Sequence, residues 1–154
     1  MNLDNINILL ADDDKDDCMF FQEALEELQL QTKFTVVHDG EQLMQLLTKN
    51  SKQIFHVLFL DLNMPRKNGF ACLTEIKRTK KLKSLPVIVF STSYDESIAD
   101  LLYINGAQHY ICKPSDFSQL KKVIHQAITL VAKENTVQPP KESFLLSNLK
   151  AILP

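Results

Sequence analysis

Five short apolar runs alternate with five amphipathic segments along this chain, and the alternation predicts an α/β fold: a five-stranded parallel sheet with helices on both faces. The third run, residues 56–60, has the length and the β-branched and aromatic content of a strand buried on both faces, and the fourth, residues 86–90, reads as a buried strand too. The segments joining strand to helix are a few residues long and carry Asp, Asn, Gly or Pro, which suits direct strand-to-helix turns. With 154 residues, the chain is long enough for one domain with a real hydrophobic core.

The first run, residues 6–11, stops abruptly at Asp12-Asp13-Asp14. Phe20, Phe21, Ala24, Leu25 and Leu28 then recur at helical spacing, with Asp14 placed as N-cap and Asp16 and Asp17 at the positive end of the helix dipole. Residues 33–37 read as the second strand, closed by the turn dipeptide Asp39-Gly40. Leu43, Leu46 and Leu47 mark a second helix that Asn50-Ser51 ends. The third strand, residues 56–60, runs into Asp61, after which Pro65 and Asn68-Gly69 turn the chain toward a helix carrying Phe70, Leu73 and Ile76. A basic run over residues 77–83 reads as a solvated turn. Residues 86–90 form the fourth strand and end in Ser91-Thr92-Ser93. Ile98, Leu101 and Leu102 give the fourth helix, with Asn105-Gly106 as its C-cap. Residues 108–112 make a fifth strand ending in Lys113-Pro114, and Phe117, Leu120, Ile124, Ala127 and Val131 draw a long last helix.

Residues 1–133 thus read as one domain. Residues 134–141, with Pro139-Pro140, read as a linker, and Phe144, Leu145, Leu149 and Ile152 supply an apolar stripe that packs on its own domain or on a second copy of the chain. A formal net charge of −2 gives no electrostatic footprint for nucleic acid or an acidic membrane. No apolar run approaches the roughly 18 residues of a membrane span, and the first residues have no basic signal-peptide region, which points to a cytoplasmic protein. Cys18, Cys72 and Cys112 are odd in number and widely spaced, as reduced thiols in such a compartment are. His38, His56, His109 and His125 show no metal-ligand spacing and read as surface or strand-end residues. Tyr103 is placed on the outer face of the fourth helix, where it suits a partner.

In a parallel sheet all strand C-termini share one rim, and ligands bind there. This chain delivers Asp12-Asp13, Asp61, Ser91-Thr92 and Lys113 to that rim from four different strands. A lone strand-ending Asp most often just caps a loop; matching groups on four strand ends change that balance. Crowded carboxylates repel unless a cation neutralises them, and hard oxygen ligands with an open side suit Mg²⁺ and phosphate oxygens. Lys113 can pair with a phosphoryl group, a hydroxyl from Ser91 or Thr92 can donate to it, and Asp61 is left as the nucleophile.

These residues, together with Leu60-Asp61-Leu62-Asn63-Met64-Pro65 and Tyr110-Ile111-Cys112-Lys113-Pro114, resemble the receiver domain of two-component response regulators, over roughly residues 7–133. The resemblance is to the stand-alone type, and the Ser-Thr-Ser run, Leu-Asn-Met-Pro and the tail are similar to small regulators paired with phytochrome-type kinases. It implies a flavodoxin-like, doubly wound sheet of order 2-1-3-4-5. It further implies that Asp61 accepts a phosphoryl group from a histidine kinase, and that Asp13 and Asp61 bind Mg²⁺ directly, Asn63 through its backbone carbonyl and Asp12 mainly through water. Lys113 then holds the phosphoryl group, with a cis bond before Pro114, while Ser91 and Tyr110 occupy the switch positions. Output passes by protein contact, or by phosphorelay to a histidine phosphotransfer protein. Three departures stand out: Asn68-Gly69 replaces the usual Asp-Gly, Ser91 the commoner Thr, and Thr92 a smaller residue, which narrows access to the phosphoryl group. A phosphohydrolase of the haloacid-dehalogenase kind uses similar groups, but there the nucleophile precedes the acidic pair, whereas here it follows. A flavodoxin is disfavoured because the acidic first loop repels a phosphate.

Overall fold

The computed structural model describes residues 5–49 and 53–146. Asn50, Ser51, Leu149 and Ile152, all invoked above, lie outside the described residues. The elements run β1 (Ile6–Ala11), α1 (Lys15–Glu27), β2 (Thr32–Val37), α2 (Gly40–Thr48), β3 (Val57–Leu60), α3 (Gly69–Arg78), β4 (Val87–Ser91), α4 (Glu96–Ile104), β5 (His109–Cys112) and α5 (Phe117–Glu134), followed by a short 3₁₀ turn, Lys141–Ser143. All strand pairs are parallel and the order is β2-β1-β3-β4-β5, the doubly wound, flavodoxin-like arrangement expected.

Each helix starts on an Asx residue whose side chain accepts a backbone N–H two or three residues ahead: Asp14, Asp39, Asn68, Asp95 and Asp116. These caps satisfy donors the helices cannot. Because every strand feeds its helix from the same rim, all five positive helix ends face that rim.

Successive strand residues point to opposite sides of the sheet, and both sides are dry along β1, β3 and β4, whereas the edge strand β2 is only partly buried. Ile6, Ile8 and Leu10 of β1 pack under α1 and α5, where Phe21 meets Phe59 and Phe90 edge-on, at 4.9 and 5.6 Å between centroids. Leu9 and Ala11 face the other layer, with Leu43, Leu73, Ile76 and Leu102. Several apolar residues with helical spacing stay outside the core. Phe20, Ile98 and Leu101 are exposed, so the buried face of α4 is Ala99 and Leu102. The basic run after α3 is not uniformly solvated either. Lys77 folds inward and donates to the carbonyls of Lys83 (3.1 Å) and Leu85 (2.7 Å), and burial pulls its pKa down to about 8.

Two glycines are dictated by close approach. A Cβ on Gly69 would stand 2.2 Å from the Asp61 carbonyl oxygen, and one on Gly40 would stand 2.0 Å from that of Lys67. The N-terminus of α3 therefore rests directly on the backbone that carries Asp61.

Residues 137–146 return across α4 and β5. Gln138 donates to the carbonyls of Tyr103 and Ala107, and the Tyr103 hydroxyl to that of Pro139. Tyr103 also packs its ring on Phe144, so the tail covers it instead of leaving it open to a partner. Along the outer edge of β5, the Tyr110 N–H donates to Phe144 O and the Leu146 N–H to Tyr110 O, both at 2.9 Å. The apolar stripe thus packs on its own domain as far as it is described. His109 does open a strand, but it is fully buried: Nε2 lies 2.7 Å from Glu134 Oε1 and Nδ1 3.2 Å from Phe144 O.

Two outcomes follow for stability. Gly69→Ala lowers it by about 1–3 kcal/mol in urea denaturation, because backbone on both sides of the contact must shift. Phe144→Ala costs about 3 kcal/mol by the same measurement, as expected for a ring 4% exposed in a packed site, and the unfolding remains one transition.

Candidate functional site

The pairing of Ala11 with Leu60 sets β1 and β3 level, so Asp12 and Asp61 leave the sheet side by side, and the Asp61 N–H donates to Ala11 O at 2.9 Å. On the other side of β3, Ser91 pairs with Cys112, and the Lys113 N–H donates to Ser91 O at 2.7 Å. The rim between β1 and β3 is where the strand order reverses. The groups scattered along the sequence therefore meet at the switch point.

Carboxylate oxygens of Asp12, Asp13 and Asp61 lie within 4.8 Å of one another. Asp12 and Asp61 are buried, whereas Asp13 faces solvent. Both oxygens of Asp12 are held, Oδ1 by the Asp14 N–H at 3.0 Å and Oδ2 by Lys113 Nζ at 2.7 Å. Asp61 is bound more loosely: Oδ1 receives the Asn63 N–H at 3.4 Å, and Oδ2 lies 3.9 Å from Lys113 Nζ. Burial lifts the Asp61 carboxyl to about 7, with Lys113 opposing the shift and Asp12 adding to it. For Lys113, burial works against the charge, but hydrogen bonds to Asp12 and Asp17 prevail and hold its pKa above the ordinary lysine range.

Ser91 closes β4 fully buried, and its Oγ has no hydrogen-bond partner among the described residues. An orphaned hydroxyl at this depth costs free energy unless a ligand meets it. Thr92, next along, is exposed on the rim. Tyr110 is already buried, its hydroxyl donating to Ser93 O and its ring set edge-on to Tyr94 at 5.6 Å. Burial pushes its phenol up to about 12, so it stays a neutral donor. The peptide bond before Pro114 is trans, against the expected cis bond; trans is the lower-energy isomer even before proline.

The oxygen-only donors, two buried and one open to water, fit a hard divalent cation, since one lysine cannot balance so many carboxylates. Asn63 lies beside Asp61 with an exposed side chain. Two participants escaped the sequence reading. Asp17 sits 2.8 Å from Lys113 Nζ, and its place in the first turn of the helix that follows Asp12-Asp13 was the available signal. Arg66 Nη1 pairs with the buried Asp39 at 3.0 Å and ties the loop after Asp61 to the start of α2; nothing local marks that contact.

The chain is similar to response regulator Rcp1 of Synechocystis sp., 32% identical over 122 residues covering 76% of this chain and 82% of Rcp1. The Mn²⁺-bound form of response regulator Rcp1 superposes with a TM-score of 0.73 at 30% identity, covering 87% of this chain and 99% of that one. The phosphorylated cyanobacterial phytochrome response regulator RcpA does so with a TM-score of 0.72 at 30% identity, covering 88% and 96%. The response regulator receiver domain family itself matches residues 8–125, a span that runs from β1 into α5 and holds every rim group described above, and the chain belongs to that family.

Proposed function

We propose that this chain is a phosphorylation-controlled signalling module in which Asp61 takes a phosphoryl group from the phosphohistidine of a histidine kinase, with Mg²⁺ at Asp12, Asp13 and Asp61. The observation that carries the reading is the unequal treatment of two neighbouring carboxylates. Asp12 has both oxygens bound at 3.0 Å or less, while Asp61 has the Asn63 N–H at 3.4 Å, Lys113 Nζ at 3.9 Å and the Asp12 carboxylate beside it. In the transfer, an Asp61 oxygen forms a bond to phosphorus as the donor's P–N bond breaks in line, and the imidazole leaves with a proton from solvent. Bound Mg²⁺ supplies neutralisation of the charge gathered by the carboxylates and the phosphoryl oxygens. Asn63 offers its backbone carbonyl as a further oxygen ligand.

Lys113 lies close enough to pair with a phosphoryl oxygen, and the orphaned Ser91 hydroxyl can donate to another. Thr92 narrows the approach for a hydrolytic water. Movement of Ser91 toward the phosphoryl group alters the space beside Tyr110, and the surface around α4 and β5 changes with it. The readers of that surface are a downstream protein or a histidine phosphotransfer protein, and a second copy of the chain is an alternative reader. The Mn²⁺-bound Rcp1 and the phosphorylated RcpA, both similar to this chain, support the metal and the modification.

Acetyl phosphate with Mg²⁺ adds one phosphoryl group to the wild type by intact mass, releasing acetate, and adds none to Asp61→Asn; an adduct surviving in the variant, or absent from the wild type, overturns the assignment. Stability carries a second signature. The folded pKa of Asp61 is raised from 3.8 to about 7, so the protonated form is favoured by folding, and its contribution is complete below pH 4 and lost as pH rises through 7. In chelator, Asp61→Asn is therefore more stable than wild type by about 1–3 kcal/mol at pH 7.5, with the gap closing toward pH 4 in denaturant titrations.

A further inference from the structure

We propose that Asp17 is a positioning residue that competes with the incoming phosphoryl group for the Lys113 ammonium. The inference rests on the reading of Asp61 as phosphoryl acceptor and names a group that regulates the same site. Lys113 Nζ has three N–H donors. Two are committed, to Asp12 Oδ2 at 2.7 Å and to Asp17 Oδ2 at 2.8 Å, while Asp61 Oδ2 stands 3.9 Å away, beyond hydrogen-bond reach. Asp12 and Asp17 thus hold the lysine while the acceptor stays outside its hydrogen-bond reach.

The two anions differ in kind. Asp12 is fully buried and belongs to the acidic cluster at the sheet edge. Asp17 stands outside that cluster, in the first turn of α1, where the Asp14 cap receives its N–H at 3.1 Å and fixes the start of its turn. Its side chain is 30% exposed, against 8% for Lys113. It forms one wall of a cavity of about 100 Å³ with Phe20, Phe90, Lys113, Pro114 and Phe117. The ring of Phe90, which lines the same cavity, lies 5.2 Å from Lys113 Nζ to its centroid.

A phosphodonor brings at least two negative charges to a rim already crowded with carboxylates. Asp17 opposes it twice, as a like charge a few ångströms off and as the holder of a donor the phosphoryl oxygens need. At that range, with the damping its exposure allows, one charge changes donor affinity roughly three- to tenfold.

The test is the rate of Asp61 phosphorylation against acetyl phosphate concentration, at saturating Mg²⁺, in the full chain. Asp17→Asn and Asp17→Ser lower the half-saturating concentration roughly three- to tenfold with thermal midpoints close to wild type. Asp17→Glu, which keeps the anion, restores the wild-type value. Asp16→Asn removes the same charge from the exposed neighbouring position and changes the value far less. An unchanged or raised value in Asp17→Asn, or an equal drop in Asp16→Asn, overturns the role of Asp17 while leaving Asp61 as acceptor. No adduct on the wild type overturns both.

Discussion

Carboxylates gathered within 4.8 Å at one edge of a dry sheet set the terms for the rest of this molecule. Such a group is unfavourable when fully ionised and metal-free, and every neighbouring feature answers that excess of negative charge. Lys113 bridges Asp12 and Asp17, the Asp14 N–H caps Asp12, and the helices direct their positive ends toward the same rim. Of the two buried carboxylates Asp61 receives less of this compensation than Asp12, and burial raises its pKa to about 7. A residue left costly by its surroundings is well placed to react, and a strained charge balance of this kind is where function is expected to sit.

Rigidity behind the site comes from ordinary packing. Alternate residues of each strand fill two separate cores, and the edge-on rings of Phe21, Phe59 and Phe90 lie under the strands that carry Asp61 and Ser91. The loop after Asp61 is clamped twice, by α3 resting on the Asp61 carbonyl at Gly69 and by the Arg66–Asp39 ion pair reaching α2. On α4, by contrast, Ile98, Leu101 and Ile104 remain exposed. The site is thus clamped at its base and bordered by exposed apolar side chains at its margin.

The C-terminal segment joins these two regimes. It covers the outer edge of β5, an edge that would otherwise offer unpaired backbone groups to other chains. The backbone groups it engages belong to Tyr110, whose hydroxyl is tied to the loop after β4. Glu134, at the end of α5, fastens the same corner through the buried His109. Tail, strand and loop share a single aromatic cluster of Tyr94, Tyr103, Tyr110 and Phe144.

Much of this was legible one residue at a time. The apolar runs of β3 and β4 marked buried strands, Asp14 marked a helix start, Asp39-Gly40 and Asn68-Gly69 marked turns, and the polar groups at four strand ends named the rim, because strand direction alone carries them to one side. Contacts between residues distant in the chain were not legible. Lys113 could be placed at the rim, but its bond to Asp17 depends on how far α1 stands from β5. Lys77 looked solvated until its stem folded onto two carbonyls, and His109 looked like a strand end until α5 and the tail closed over it. Sequence by itself determined the elements, their order and the chemical inventory of the site, since those follow from local periodicity and turn chemistry. Only the tertiary structure decided which carboxylate is held and which is left loose, because that depends on distances set by packing between elements far apart along the chain.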